Sequence, residues 1–222
     1  MANRCFLGFT ACPFPAGLKS LKRLNLAFNR ITDASLVHLK GLTLLKSLVL
    51  SDTDIGNSGL RYISGLNKLE DLNLSFTTVT DNGLKRLSRL TQLKSLNLDT
   101  RLITDNGLSN LIAFKNLQSL EICGGGLTDD GVKNIREIVS LTQLNLSQNC
   151  NLTDKTLELI SGMTALRSLN VSNSRITNGG LRYLKPLKNL RSLTLESCKV
   201  TASEIKKLQS TDLPNLISFR PE

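Results

Sequence analysis

Leucines recur along the chain in two alternating spacings. Each unit opens on a leucine, places further apolar residues three and five positions later, as in Leu69, Leu72 and Leu74, and then changes period to every third position, as in Leu84, Leu87 and Leu90. Leu72 and Leu74, one residue apart, predict a short strand with one buried face. The three-residue spacing predicts a short helix or 3₁₀-like turn laid over the same core. Successive units open at Leu21, Leu45, Leu69, Leu93, Leu117 and Leu141, 24 residues apart, and continue at Leu166 and Leu190 after one extra residue near Cys150. That makes eight in-phase copies. A ninth fragment keeps the spacing at Leu213, Leu216 and Phe219 and is expected to pair as a last strand.

Between the two halves of a unit stands a polar punctuation. Thr80-Asp81, Thr104-Asp105, Thr128-Asp129 and Thr153-Asp154 precede the helical segment. There, a side-chain oxygen can accept from the free N–H groups of a helix start. Gly59, Gly83, Gly107, Gly131 and Gly180 share one column just before a core apolar residue. A missing side chain at that place lets successive coils approach closely. One strand and one short helix cannot bury their own apolar side, so the units must stack; each leucine removed from water contributes roughly 1.5 to 3 kcal/mol before entropy is subtracted.

The pattern LxxLxLxx[TNSC]x[IVL]TDxGLxxLxxL resembles the leucine-rich repeat. The fold class this implies is α/β: a curved solenoid of about eight 24-residue repeats, with parallel strands on the concave face and short helices on the convex face. Residues 18–222 are assigned to this repeat domain. Residues 1–17 do not fit, and are expected either to be poorly ordered or to fold Phe6, Phe9 and Phe14 over Leu24, Leu26 and Ile31 as a makeshift cap.

Composition narrows the function. With 222 residues, 40% of them hydrophobic, the chain suits one domain with a real core rather than a disordered tail or a disulfide-packed miniprotein. No stretch approaches the roughly 18 to 20 uninterrupted apolar residues of a membrane span, so no membrane partner is expected. The single histidine, His38, falls on the helix side, out of phase with any strand-face serine or cysteine. A Ser-His or Cys-His nucleophile pair is therefore unsupported, and a binding protein is expected rather than an enzyme.

Cys5, Cys12, Cys123, Cys150 and Cys198 show no CxxC spacing and are read as reduced thiols, with too few neighbouring ligands for zinc and no cofactor implied. The opening MANRCFLGFTACPFPAG imitates a secretion signal, but Pro13 and Pro15 break its apolar run and no AxA-like site follows. The sequons at Asn73, Asn145 and Asn170 fall on one face, which sugar would bury in an exported protein. An intracellular protein, cytoplasmic or nuclear, is expected.

On each strand the third, fifth and seventh positions face outward and the eighth lies at the rim. From these columns the candidate partner-binding residues are Arg23, Asn25, Phe28, Asp52, Asp71, Asn73, Phe76, Asn97, Asp99, Glu121, Asn145, Asn170 and Glu196. Five acids (Asp52, Asp71, Asp99, Glu121 and Glu196) stand against one base, Arg23, so a mildly acidic wall is expected although the chain carries a formal charge of +10. Phe28 and Phe76, two repeats apart, either stand exposed as binding hot spots or tuck into the coil edge. The asparagine column is either a hydrogen-bond ladder for a partner or tolerated polar filler. Gly124-Gly125-Gly126 is read as a permissive turn; it lacks the GxxxxGK[ST] order of a phosphate loop.

The positive charge gathers elsewhere. Arg61, Lys85, Lys133, Arg182 and Lys206 share a helix-side column, and Lys22, Lys46, Lys94, Arg167 and Arg191 precede the strands. These stripes support an alternative reading as a polyanion or nucleic-acid scaffold. Ser109 and Glu158 interrupt one stripe, and aromatic residues for base stacking are scarce, which weighs against nucleic acid as a partner.

The TDxGLxxLxxL tails, with Thr53, Thr77 and Cys198 where asparagine is usual, resemble the repeats of F-box/LRR proteins rather than receptor ectodomains. The run LEICGGGLTDDGVKNIREIVSLTQLNLSQNCNLTDKTLELISGM and the ending LRSLTLESCKVTASEIKKLQSTDLPNLISFRPE are similar to a plant family labelled F-box/LRR-repeat-like. In that family the F-box docks a Skp1-type adaptor and the repeats select the substrate for ubiquitylation. Seventeen residues before the first repeat are too few for an F-box, so only the recognition half carries over, and a Skp1-type adaptor is implied only if an F-box is supplied elsewhere. The expected function is recognition of a protein or peptide on the concave face by a monomer. The remaining alternative is a receptor ectodomain fragment.

Overall fold

The computed structural model describes residues 16–220. Phe6, Phe9 and Phe14, in the segment expected either to be poorly ordered or to cap the first coil, lie outside the described residues. Nine three-residue strands are described: β1 (Arg23–Asn25), β2 (Ser47–Val49), β3 (Asp71–Asn73), β4 (Ser95–Asn97), β5 (Ser119–Glu121), β6 (Gln143–Asn145), β7 (Ser168–Asn170), β8 (Ser192–Thr194) and β9 (Ser218–Arg220). They form one parallel sheet in chain order. The register follows the repeat: Leu24 pairs with Leu48, Leu48 with Leu72, and so on to Leu193 with Phe219, so the ninth fragment joins as the last strand. The fold is a curved solenoid with the sheet on its concave side.

The convex side mixes two kinds of helix, as a three-residue apolar spacing allows. The α-helices are α1 (Leu60–Ile63), α2 (Asp81–Leu87), α3 (Asp105–Leu108), α4 (Asp129–Ile135), α5 (Asp154–Ile160) and α6 (Ala202–Thr211). Asp33–Gly41 and Asn178–Leu184 are 3₁₀ segments, the second opening on Asn-Gly-Gly, a poor start for an α-helix. Between sheet and helices the leucine rows close completely. In the third coil Leu74, Val79, Leu84, Leu87, Leu90 and Leu93 are all buried, and Phe114 fills the space one coil further on.

The bend between strand and helix is held from inside. Asn149 is fully buried and donates through Nδ2 to the Ile122 and Leu146 carbonyls, both at 2.9 Å, while its Oδ1 accepts from the Leu127 N–H at 3.1 Å. Thr53 and Thr77, in the same column, each donate one hydroxyl bond of 2.6 Å, to the Leu50 and Leu74 carbonyls. A shorter side chain thus satisfies one buried carbonyl where asparagine satisfies two and also occupies an N–H.

The Thr-Asp punctuation works partly as expected. Thr128 and Thr153 accept from the N–H groups of Asp130 and Lys155, as N-caps do, but Thr80 and Thr104 make no such bond. The larger role belongs to the aspartate, and it runs between coils. Asp81 accepts from the Thr104 N–H at 2.9 Å and from its hydroxyl at 2.6 Å. Asp105 does the same with Thr128, and Asp154 with Thr177. Each carboxylate is thereby docked onto the next repeat. The glycine column makes room for it: a Cβ on Gly107 would stand 2.2 Å from Asp81 Oδ1, and one on Gly131 would stand 2.1 Å from Asp105 Oδ1. In the coil that carries Thr156 instead, its hydroxyl donates to Asp129 Oδ1 at 2.5 Å.

Candidate functional site: the concave wall and its rim

Strand alternation turns the central leucines inward and leaves the third and fifth columns on the concave wall. Arg23, Asn25 and Asp71 are exposed there, and Asn73, Asn97, Glu121, Asn145 and Asn170 are partly exposed. The asparagines are tied to their own strand ends. Asn25, Asn73, Asn97, Asn145 and Asn170 each accept through Oδ1 from the backbone N–H two residues on, at 2.9 to 3.1 Å, and so end the strand in an Asx turn. The group left to donate elsewhere is the amide Nδ2. Among the described residues only Asn97 has spent it, on Glu121 Oε2 at 2.9 Å.

Charge concentrates at the middle of the wall. Burial pushes the Asp99 carboxyl above its usual range, against a pull from Arg101. Burial, and then the charge of Asp99, push Glu121 up as well. Cys123, buried beside them, is raised chiefly by burial despite its 3.5 Å contact with the Ser147 hydroxyl. That is the setting of a packing thiol rather than a nucleophile. These partly desolvated acids are groups that a partner's cation or hydrogen-bond donor would stabilise.

The rim is set by a repeated backbone device. Phe28, Asp52, Phe76, Gln148, Asn173 and Ser197 occupy the eighth position of their coils in the left-handed region, with φ between 53° and 62°. Phe28 and Phe76 are exposed, 79% and 59%, rather than tucked into the coil edge. In the fourth coil the positive φ moves one residue on, to Arg101, and Thr100 N bonds to Leu98 O instead of reaching the next coil. Gly124-Gly125-Gly126 accommodates this slip. Gly124 and Gly126 have positive φ, and a Cβ on Gly125 would lie 2.3 Å from the Ile103 carbonyl oxygen.

Sequence columns therefore undercounted the bases. Arg101 joins the rim beside Asp99, and Arg220 on β9 stands across from Thr194, 4.0 Å from Glu196. Arg220 was legible, because Leu213, Leu216 and Phe219 carry the same spacing; the slip that brings in Arg101 has no sequence signal. On the helix side the stripes are partly neutralised. Lys133 pairs with Asp130, Lys155 with Glu158, and Arg61 and Arg182 lie over the rings of Tyr62 and Tyr183 at 4.6 and 4.8 Å. Glu70 bridges Lys46 at 2.5 Å and Lys94 at 2.7 Å, and these two cations hold its carboxyl down at about 2.

Two family models match the chain, both described as leucine rich repeat: one over residues 115–176, the other over residues 17–39, 41–64 and 65–88. The chain is a leucine-rich repeat protein. None of the curated proteins matches it in sequence. Among solved structures it is similar to internalin C2 of Listeria monocytogenes, with a TM-score of 0.73 and 22% identity over 92% of this chain and 82% of that one. It is also similar to the internalin inlF of the same bacterium, with a TM-score of 0.72 and 24% identity over 90% of this chain and 54% of that one. At these identities the likeness is one of fold, and the chain spans about half the length of the second.

As a leucine-rich repeat protein the chain offers a preformed curved sheet, the surface such solenoids use for protein interaction. Among the described residues no three His, Cys, Asp or Glu side chains gather as a metal cage, and no helix is long and apolar enough to cross a membrane. His38 lies in the helix-side segment Asp33–Gly41, across the core from the strands.

Proposed function

We propose that this protein is an intracellular, non-enzymatic recognition module that holds a partner protein or peptide against its concave wall. The observation that carries the reading is the partly buried acidic centre of Asp99 and Glu121, with exposed Phe28 and Phe76 along the rim on its N-terminal side. Aromatic anchors beside desolvated charge are what binding surfaces concentrate. The sheet is already hydrogen-bonded from β1 to β9, so little ordering cost attends binding. The polyanion reading is the weaker one, because several helix-side cations already have partners of their own.

The finer reading is that the repeats select the substrate of an SCF-type ubiquitin ligase, with a Skp1-type adaptor joining only through an F-box supplied elsewhere. It rests on the F-box/LRR resemblance of the repeat tails.

The test is affinity capture from native cell extract with three forms of the protein: wild type, Asp71→Arg/Ser95→Arg on the wall, and Arg61→Glu/Lys85→Glu/Lys133→Glu on the helix side. These wall positions avoid the asparagines, whose replacement would also break a strand-ending turn. Partners lost only from the wall variant support the proposal. Partners lost only from the helix-side variant, or nucleic acid recovered in their place, contradict it.

A further inference from the structure

Phe28, Asp52 and Phe76 sit at the same place in three consecutive coils. Their φ angles are 59°, 53° and 55°, and each backbone N–H donates to the next coil, to the carbonyls of Ser51, Ser75 and Asp99 at 3.0, 2.9 and 2.8 Å. Equal backbone geometry on parallel coils sends the three Cβ atoms the same way. Coils repeat at about 4.7 to 4.9 Å, which puts the two phenylalanines roughly 10 Å apart with the aspartate between them. With the two rings turned to face each other across that gap, a cation held midway lies within about 6 Å of both, the range of cation–π attraction, and beside a carboxylate.

The residue types are a poor choice for the backbone alone. A bulky aromatic residue in the left-handed region costs conformational energy that glycine or asparagine avoids, and Asn173 fills the same column without that cost. Nor do the rings serve packing, since both phenylalanines are exposed. Among the described residues no cation lies over either ring and Asp52 has no ion pair. The rim arginine one coil further on, Arg101, leans the other way, its side chain running beside Gly124. The protein uses the same attraction on its convex side, where Arg61 and Arg182 cover their tyrosines.

We propose that Phe28, Asp52 and Phe76 form a clamp for one cationic side chain, arginine or lysine, of a partner protein. The clamp deepens the recognition reading above and rests on it. Charge decides the occupant: the clamp's own acid, with Asp71, Asp99 and Glu121 on the adjoining wall, outnumbers the nearby bases Arg23 and Arg101 and favours a basic segment over an acidic or purely apolar one.

The experiment selects a randomised peptide library, displayed on phage, against the whole chain. Wild-type protein is expected to enrich peptides with arginine or lysine at one fixed position. A synthetic peptide from that set should lose about tenfold in affinity when this residue becomes glutamine, and as much against Phe28→Ala/Phe76→Ala, which corresponds to about 1.4 kcal/mol. Asp52→Asn should weaken binding and reduce its salt dependence. Thermal unfolding followed by circular dichroism confirms that the variants are folded, as exposed sites predict. No enrichment, enrichment without a fixed cation, or affinities unchanged in the rim variants overturns the clamp. Peptides lost to Asp71→Arg/Ser95→Arg but indifferent to the rim overturn it while leaving the concave reading standing; peptides that need the rim but ignore the wall support the clamp and move recognition from the wall to the rim.

Discussion

Asparagine shows how far position governs what a residue does here. Asn73 or Asn145, at the end of a strand, folds back on its own backbone, whereas Asn149 is pulled inside and serves two carbonyls of two coils. Both are the same letter in the sequence; what separates them is their place in the repeat, the fifth column against the ninth, whose side chain the turn buries. Glu70 is a second case, placed in a column of lysines and arginines and taken up by two of them. Its carboxyl is held at about 2, below its usual 4.5, so its ionised form favours the folded state. That contribution is fully present above pH 4.5 and disappears as the pH falls towards 2. Urea unfolding of wild type and Glu70→Gln should therefore show wild type more stable near pH 7, with the gap closing between about 4.5 and 2 and shrinking at high salt.

Between elements, the aspartate and glycine columns act as one device. Asp81 reaches across to Thr104 and can do so because Gly107 has no side chain. Gly107→Ala should lower stability by roughly 1 to 3 kcal/mol, the usual cost of overpacking. Gly65→Ala, where nothing stands within 4 Å of the added carbon, should change it little. In Asp81→Ala/Gly107→Ala the clash is gone with the carboxylate, so the double variant should lose less than the two single losses added. Denaturant melts of the four proteins decide it. The sequence made the columns visible through their period, and the glycine's reason, close approach, was legible too. What the glycine approaches was not, because the contact lies between residues 26 apart that no local pattern joins.

At the scale of the whole molecule, the 24-residue leucine period was sufficient to read the solenoid, the outward columns and the last strand. The exposure of Phe28 and Phe76 was not legible, since a rim residue in either orientation leaves the pattern unchanged. Nor was the slip at Thr100, where a missing inter-coil bond shifts Arg101 into the rim and brings a base beside Asp99. Stacking leaves the wall and its rim with more acids than bases although the chain has a formal charge of +10, and sends most of the bases elsewhere. Carboxyl footprinting uses that separation, because both faces carry acids. With a captured partner bound, the account predicts that modification of Asp52, Asp71 and Glu196 falls while that of Asp130, Glu137 and Glu158 holds. Protection of Asp130, Glu137 and Glu158, with the wall acids still modified, would contradict it.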